Sequence, residues 1–324
     1  MNRMTTPAPP AAGVRTPWDA LPATVRNAVA DVLGGTPVVH AVTQPGGFSP
    51  GTAARIRTAD GRRAFVKAVS ADTNPHSPTL HRTEARHTAA LPHTVPAPRL
   101  LGTYDDGTWV ALVLEEIPGR QPHVPWQERE LQRVLDAVAE LSRILTPSPV
   151  DAPPVAEALA DDFSGWQRLR AQPEHEVRGR LDAWTLAQLP RLADIAADWT
   201  RAASGDTLAH ADLRADNMLL TAEDRVVFVD WPHAVRAAPW FDLLVMLPCV
   251  RAQGGPDPEE VFTAHPVGRE ADPAAVTTAL AALAGYFVEH SLRPPPPGLP
   301  TLRAFQRAQG DAALAWLRRR LKDS

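Results

Sequence analysis

The chain has 324 residues, of which 44% are hydrophobic and 22% are charged, and its formal net charge is -4. This length allows two lobes and a sizeable core, and the composition is that of an ordinary globular protein. The charge gives no reason to expect nucleic acid or a membrane surface as a partner, and no apolar run approaches the ~20 residues that span a bilayer.

The N-terminal residues 1–16 include a proline-rich run and are predicted to be a disordered leader. They lack a basic segment followed by an apolar core, which a signal peptide would need. The single cysteine, Cys249, has no partner for a disulfide within the chain. We therefore expect a cytoplasmic protein, and nothing in the sequence indicates an obligate protein partner.

Residues 17–115 are predicted to form a small lobe with an antiparallel sheet and one main helix. Apolar and turn residues predict strands over residues 38–42, 52–58, 63–69, 100–104 and 109–115. Residues 44–51 form a glycine-rich turn. Helices are expected over residues 22–33 and, as the main helix, over residues 81–91.

Residues 116–120 interrupt this pattern and are predicted to be a hinge. Residues 121–324 follow as a larger, mostly helical lobe. Helical spacing predicts helices over residues 127–145, 155–170, 176–203, 239–252, 273–289 and 301–322. The third of these should be kinked or split at Pro190. A strand over residues 225–229 ends in Asp230. The fold class is therefore α+β with two lobes.

The most informative motif of the chain is H-x-D-L-x-x-x-N, from His210 to Asn217. A phosphoryl-transfer loop needs a carboxylate that accepts the proton of an attacking hydroxyl, and an amide oxygen nearby that holds magnesium. Asp212 and Asn217 have that type and spacing. Asp230, at the end of the next strand, has the position of a second magnesium ligand.

Lysine is rare in this chain, which contains only Lys67 and Lys322 beside many arginines. Lys322 lies in the C-terminal tail, whereas Lys67 lies in an apolar strand. A lysine is a compact point charge on a flexible stem, whereas arginine is a rigid fork. Retention of lysine at this position is typical of a phosphate contact, and a solvent-exposed lysine at a strand end is the alternative.

The order of these motifs, with a helix glutamate after the strand lysine, resembles that of the aminoglycoside phosphotransferase family. This family is the choline-kinase-like branch of the protein-kinase fold. The resemblance runs from about residue 38 to about residue 250. It implies a bilobal protein-kinase-like fold, ATP as donor (with GTP not excluded) and Mg²⁺ as the metal. It also implies that the lobe of residues 17–115 binds the nucleotide phosphates, and that the lobe of residues 121–324 carries the catalytic loop and binds the substrate.

The resemblance also implies roles for individual residues. Asp212 would position and deprotonate the acceptor hydroxyl, and Lys67 would contact the α- and β-phosphates. The remaining roles are the lysine partner (Glu84), magnesium ligands (Asn217, Asp230), backbone amides over the phosphates (Gly47, Phe48, Ser49), main-chain groups for adenine (Glu115, Ile117) and bracing of the catalytic loop (His210, Asp242).

Other residues have two interpretations each. Arg214 either adds positive charge at the γ-phosphate or is a plain surface arginine. A tryptophan with an acid nearby could bind a cationic substrate, while core packing is the alternative for tryptophans. The candidates for such a substrate site are Asp161, Asp162, Trp166, Trp231 and Glu289.

Two departures separate the chain from protein kinases. Ala211 stands where regulated protein kinases carry an arginine, and the short segment from Asp230 to Asp242 lacks an Ala-Pro-Glu motif. We therefore expect an ATP- and magnesium-dependent phosphotransferase acting on a hydroxyl of a small molecule. An aminoglycoside or other antibiotic is the first candidate, and an amino alcohol, sugar or amino acid comes next. The alternatives are a silent nucleotide-binding pseudokinase and a protein kinase.

Overall fold

The structure is a computed structural model that describes residues 9, 11, 13–48 and 50–322. Its N-terminal half is built on one antiparallel sheet with the strand order β1-β2-β3-β5-β4. The elements of this half are α1 (Ala23–Val32), β1 (Val38–Thr43), β2 (Thr52–Thr58), β3 (Arg63–Ser70), α2 (Ser77–Ala90), β4 (Leu100–Asp105) and β5 (Trp109–Leu114).

The two faces of this sheet carry different helices because side chains alternate along each strand. Ala64, Val66 and Ala68 of β3 pack in one core cluster with Val25 and Val29 of α1. Val110, Leu112 and Leu114 of β5 pack instead with Ala85 of α2. Lys67 lies between Val66 and Ala68 and therefore points to the α2 face.

The C-terminal half is mostly helical, with short strands around the catalytic motif. Its helices are α3 (Glu128–Ile144), α4 (Val155–Ala158), α5 (Gly165–Ala171), α6 (Glu174–Val177), α7 (Ala183–Ala196), α8 (Trp199–Ala202), α9 (Phe241–Ala252), α10 (Pro258–Ala264), α11 (Pro266–Arg269), α12 (Pro273–Ser291) and α13 (Leu302–Arg320). Its strands are β6 (Gly119–Arg120), β7 (Thr207–Ala209), β8 (Met218–Thr221), β9 (Val226–Phe228) and β10 (Val235–Ala237).

One large core cluster fills this half and includes α12, whose alanine and leucine side chains are buried on most sides. The strands pair as β6-β8-β9 and β7-β10. They place the H-x-D-L-x-x-x-N motif between β7 and β8, and Asp230 just after β9. The predicted α+β architecture with two unequal lobes is confirmed. None of the described helices is long and apolar enough to cross a bilayer.

Two predicted helices are divided differently in the structure. The helix predicted over residues 155–170 breaks into α4 and α5 around a short 3₁₀ turn, Asp162–Ser164. The helix predicted over residues 176–203 is interrupted before α7 rather than at Pro190. The reason is a strong start signal, because the Asp182 carboxylate accepts the N–H groups of Trp184 and Thr185. Burial of neighbouring Leu189 and Leu192 then offsets the cost of proline inside the helix.

The end of the predicted leader also differs from its prediction. Val14 N–H donates to Gly298 O at 3.0 Å, and Thr16 N–H donates to Gly51 O at 3.0 Å. The hydroxyl of Thr52 donates to Thr16 O at 2.9 Å. Residues 14–16 are therefore bonded to both lobes, and the assignment of all of residues 1–16 to a disordered leader is wrong for these three. A proline-rich composition favours disorder but does not exclude backbone pairing.

Candidate active site

The backbone of the catalytic motif is held by one carboxylate. Asp242, in the first turn of α9, accepts the N–H of His210 and the N–H of Ala211, each at 2.8 Å. Ala211 has φ 62°, a left-handed conformation that costs energy for a residue with a Cβ. His210 is fully buried, and its Nε2 lies 3.0 Å from Val229 O, the residue before Asp230. The motif is thus tied to both neighbouring elements.

Asp212 projects from this loop and has two side-chain partners. Arg214 donates to Oδ1 at 2.8 Å, and the Asn217 amide donates to Oδ2 at 3.0 Å. Burial raises the pKa of Asp212 above the ordinary value of an aspartate, and the Arg214 cation offsets part of that rise. A partly buried carboxylate of raised basicity is suited to accepting a proton.

Lys67 bridges the two lobes through carboxylates on both sides. Its Nζ lies 2.8 Å from both oxygens of Glu84 in α2 and 2.6 Å from Oδ1 of Asp230. Burial alone would lower the pKa of Lys67, but the two carboxylates outweigh it and raise that pKa. The trio carries one excess negative charge, and burial raises the pKa of Glu84, the carboxylate with the least exposure.

Asn217 and Asp230 offer the ligand atoms expected for magnesium. The Asn217 amide nitrogen donates to Asp212, so its oxygen is the atom left for a cation. Asp230 has φ 73°, another left-handed residue at the functional site. Within the described residues no group of three or more His, Cys, Asp or Glu forms a metal site by itself. This donor set fits Mg²⁺, which is usually shared between one or two carboxylates and substrate phosphates.

A cleft of about 990 Å³ lies between the lobes. Its walls include the residues predicted for nucleotide and metal binding: Gly47, Phe48, Lys67, Glu84, Glu115, Ile117, Asn217 and Asp230. Ser49, which was predicted to contribute a backbone amide, lies outside the described residues.

Arg15 lines the same cleft, and sequence reasoning missed it. It precedes the sheet and reaches the glycine-rich turn, where its guanidinium donates to Gly46 O. Burial lowers the pKa of Arg15, while the carboxylates of Asp230 and Asp216 oppose that effect. Because Arg15 lay in a segment predicted to be a leader, no signal in the sequence pointed to it.

Arg214 is mostly buried, which does not fit the interpretation as a plain surface arginine. Besides Asp212 it binds both carboxylate oxygens of Asp216, each at 3.1 Å. Its guanidinium lies 5.4 Å from the ring centre of Phe48 and 5.8 Å from that of Phe305. These two rings contact each other with centroids 5.0 Å apart. Arg214 therefore lies where the glycine-rich turn meets α13.

A second cavity of about 790 Å³ adjoins Asp212 on the side of the helical lobe. Asp162, Arg214, Phe305 and His233 also line it. Among the five candidates for the substrate site, Asp162 is the one that this cavity includes. His233 and Phe305 were missed because they come from separate elements with no motif of their own.

Two tryptophans of the substrate prediction are core residues, and that part of the prediction is wrong. Trp166 is 0% exposed and donates its indole N–H to Ala281 O at 2.7 Å. Trp231 is 1% exposed and donates to Phe228 O at 3.0 Å. Their rings are enclosed by protein, so neither can cover a ligand in this conformation.

Two acids of the substrate prediction also lie outside the walls of the cavity. Asp161 contributes its backbone oxygen to Ser164 at 2.7 Å. Glu289 is bound by Arg168 at 3.1 Å and by Arg293 at 2.9 Å. The carboxylate of Glu289 is therefore already paired within the helical lobe.

Comparison with known proteins agrees with this geometry. A model of the phosphotransferase enzyme family matches residues 44–268. An aminoglycoside 3'-phosphotransferase of Streptomyces ribosidificus is 34% identical over 142 residues, which are 40% of this chain and 49% of the relative. The chain spans about half the length of the curated relatives it matches.

Solved structures of low sequence identity share the fold. A thermostable mutant of the aminoglycoside phosphotransferase APH(4)-Ia, in a ternary complex with ADP and hygromycin B, aligns with a TM-score of 0.57 at 15% identity. The alignment covers 91% of this chain and 98% of the other. Choline kinase LicA from Streptococcus pneumoniae aligns with a TM-score of 0.56 at 13% identity, covering 90% and 98%. The family match spans more than half of the sequence, and the chain belongs to the phosphotransferase enzyme family.

Proposed function

We propose that this chain transfers the γ-phosphate of ATP to a hydroxyl of a small molecule, with magnesium as cofactor. One observation carries the proposal. Asn217, which lines the cleft between the lobes, donates its amide N–H to the carboxylate of Asp212, which lines the neighbouring cavity. A nucleotide in the cleft and an alcohol in the cavity would thus meet at this pair.

The roles of the residues follow from the contact between Asn217 and Asp212, where the nucleotide and the alcohol would meet. Asp212 orients the acceptor hydroxyl and accepts its proton as the oxygen forms a bond to the γ-phosphorus. The bond between that phosphorus and the β–γ bridging oxygen breaks, and ADP leaves. Lys67 and Arg214 supply positive charge beside the phosphates, where positioning and electrostatics provide most of the catalysis. Magnesium, when bound at Asn217 and Asp230, would neutralise further phosphate charge.

The division of labour between the lobes is part of the proposal. The N-lobe residues Lys67, Glu84, Gly47, Phe48 and Ser49 are assigned to the phosphates. The main-chain groups of Glu115, just before the hinge, and of Ile117, within it, are assigned to adenine. Main-chain contacts of this kind do not by themselves exclude GTP. The helical lobe is assigned to the acceptor. The relatives named above make an aminoglycoside the first acceptor to test.

The test is product detection by mass spectrometry with ATP, magnesium and a panel of hydroxyl-bearing antibiotics and metabolites. We expect a product heavier by one phosphate, and Asp212→Asn should lower its rate by about a hundredfold or more, within the range of general-base contributions. Asp206→Asn, the same change at an exposed residue before β7, is the matched control and should leave the rate unchanged.

The same experiment separates the alternatives. Equal rates in Asp212→Asn and in the unchanged protein would refute the catalytic role of Asp212. A protein that binds ADP but phosphorylates nothing would be a pseudokinase. Labelling of a protein substrate with no small alcohol labelled would identify a protein kinase.

A further inference from the structure

The cavity beside Asp212 has mostly apolar walls. Residues from the α4–α5 region, α9, α12 and α13 contribute the apolar side chains Leu159, Phe163, Val245, Leu283, Phe287 and Leu302. Phe305 and Tyr286 add aromatic surface. Such walls favour a ligand with apolar groups, because burial of those groups against the walls removes them from water.

Carboxylates are scarce in these walls. The cavity includes two, Asp212 and Asp162. Asp212 is already bound by Arg214 and Asn217. Asp162 is half-exposed, and His290 Nε2 lies 3.4 Å from it. Asp162 is therefore the one carboxylate of the walls that could take an ammonium group without displacing a cation from its partner.

The acidic residues just behind the walls do not add a further carboxylate for an ammonium group. Glu289 is bound by Arg168 and Arg293 and does not line the cavity. The other polar groups in the walls are the neutral side chains of Gln306 and Gln309, the Tyr286 hydroxyl and the His233 imidazole. Arg214 adds a positive charge on the side of the catalytic loop. Arg214 is paired with Asp212, so one excess negative charge, that of Asp162, remains in the walls.

A polyamino sugar should bind weakly in this cavity. Each ammonium group that leaves water needs a carboxylate or several acceptors, since an unpaired buried charge is costly. From the chemistry of the walls we infer that the acceptor is an alcohol with a largely apolar or aromatic body and at most one amine, which Asp162 binds. This inference rests on the proposed phosphotransfer, but it makes its own prediction about binding.

The first test measures equilibrium binding by calorimetry, with ADP and magnesium present, for alcohols that each have one amine and one hydroxyl. The probes are ethanolamine, 2-amino-1-phenylethanol and propranolol, in order of growing apolar body, with kanamycin as the polyamino sugar. We expect affinity to rise by about tenfold or more from the first to the third, as burial of apolar surface requires. Kanamycin should bind more weakly than propranolol. No rise along the series, or tighter binding of kanamycin, overturns the inference.

The second test changes the walls. Leu302 is half-buried at the start of α13 and lines the cavity. Leu302→Glu should weaken propranolol binding by about tenfold, while the affinity for kanamycin rises or stays constant. Leu101→Glu, the same change at a residue that is 41% exposed on β4, is the control and should alter neither. If Leu302→Glu does not fold, Leu159→Glu makes the same change at another half-buried wall residue. Stronger propranolol binding in either wall variant contradicts the apolar acceptor.

The variant Asp162→Asn tests whether Asp162 binds the single amine of the acceptor. The variant should bind propranolol about tenfold more weakly and bind 1-phenylethanol, which has no amine, with unchanged affinity. Equal losses for both would show that Asp162 does not recognise the amine. Failure of the proposed function would look different, because phosphorylated product would be absent for every alcohol while the order of binding affinities persisted.

Discussion

The ammonium group of Lys67 lies 2.6 Å from Oδ1 of Asp230, although 163 positions separate the two residues in the chain. Lys67 belongs to the sheet of the N-lobe, and Asp230 follows β9 of the helical lobe. Glu84 holds the lysine from the other side at 2.8 Å. The ion pair between Lys67 and Asp230 therefore joins the two lobes at the place where phosphates and magnesium are proposed to bind.

Lys67→Met should destabilise the fold and weaken nucleotide binding. The change leaves the carboxylates of Glu84 and Asp230 close together without their cation, and breaking a buried pair costs about 3 kcal/mol or more. Urea unfolding measures this cost, and ADP titration measures the affinity. Lys322→Met, at an exposed position near the C-terminus, is the matched control and should alter neither value.

Lys67→Arg separates charge from shape. It keeps a cation between the carboxylates, so most of the stability should return, but a planar fork does not reproduce the contacts of a compact ammonium group. We therefore expect the ADP affinity to stay low. Full recovery of ADP affinity in this variant would contradict a specific need for lysine.

The local motifs predicted which residues come together in the candidate site, because these motifs combine residue type with short spacing. H-x-D-L-x-x-x-N fixed the expectation for Asp212 and Asn217, and an apolar strand with a lone lysine singled out Lys67. The pairing of Lys67 with Glu84 came from the family resemblance, since no spacing rule links a strand to a helix that begins seven residues after the strand ends. The five strands of the sheet lobe begin at the predicted residues, and four of them end one residue away from the predicted end.

The cavity beside Asp212 could not be predicted in the same way. Its residues come from several separate helices and meet only through packing, so no window of the sequence contains its pattern. Trp166 shows the consequence, because an amphipathic aromatic residue near acids fits both a ligand site and a core. Arg15 was missed because its contacts depend on the path of an irregular segment. Long-range packing decided each of these cases.

Asp242→Asn should slow catalysis with a smaller effect on nucleotide affinity. An aspartate accepts two backbone N–H groups here, whereas an asparagine offers one oxygen and turns an N–H₂ group toward the other donor. The left-handed Ala211 then loses support, and the position of Asp212 loosens. We expect kcat to fall by about tenfold to a hundredfold. Steady-state kinetics with varied ATP gives kcat and KM separately.

The control for this variant is Asp257→Asn. Asp257 caps α10 with bonds to the N–H groups of Glu259 and Glu260, and asparagine is an equally good cap. Its kcat should not change. A normal kcat in Asp242→Asn would mean that the loop keeps its conformation without the second acceptor.

The rate should fall at acidic pH as Asp212 becomes protonated. In the proposed mechanism the active form of Asp212 is the carboxylate. Because burial raises the pKa of Asp212, the acidic limb of kcat/KM should lie above the ordinary aspartate pKa of about 3.9. The Arg214 cation lowers the pKa of Asp212. Arg214→Ala should therefore move this limb to higher pH as well as lower the plateau.

A pH profile with matched ionic strength measures this shift. Arg201→Ala removes an arginine whose side chain is 82% exposed and should leave the limb in place. Movement of the limb to lower pH in Arg214→Ala has the wrong sign and would show that Asp212 does not control it.

Arg15→Ala should raise the KM for ATP. The guanidinium lies in the cleft near the carboxylates of Asp230 and Asp216, where it would face the nucleotide phosphates and their metal. Loss of a charge-assisted hydrogen bond of about 1.5 kcal/mol corresponds to roughly a tenfold change. The KM of the acceptor should not change. Arg57→Ala, at an exposed position of β2, serves as the control. An equal rise of the KM for ATP in both variants would mean that Arg15 acts only through the overall charge of the protein.

Gly165→Ala should destabilise the helical lobe, although alanine ordinarily favours helices by about 1 kcal/mol over glycine. A Cβ on Gly165 would overlap the backbone oxygen of Gly285, which belongs to α12 and cannot turn aside as a side chain could. Helices α5 and α12 must separate, and overpacking of this kind costs about 1–3 kcal/mol. Gly310→Ala, where the nearest atom would be 3.2 Å away, should cost less.

The displacement of α12 has a functional consequence that distinguishes this prediction from a simple loss of stability. Leu283, Tyr286 and Phe287 of α12 line the acceptor cavity, whereas the cleft for the nucleotide contains no residue of α12 among those described. Gly165→Ala should therefore raise the KM of the acceptor and leave the KM of ATP unchanged, at a temperature where the variant is fully folded. Equal changes in both constants would mean that α12 positions the whole active site rather than the acceptor cavity.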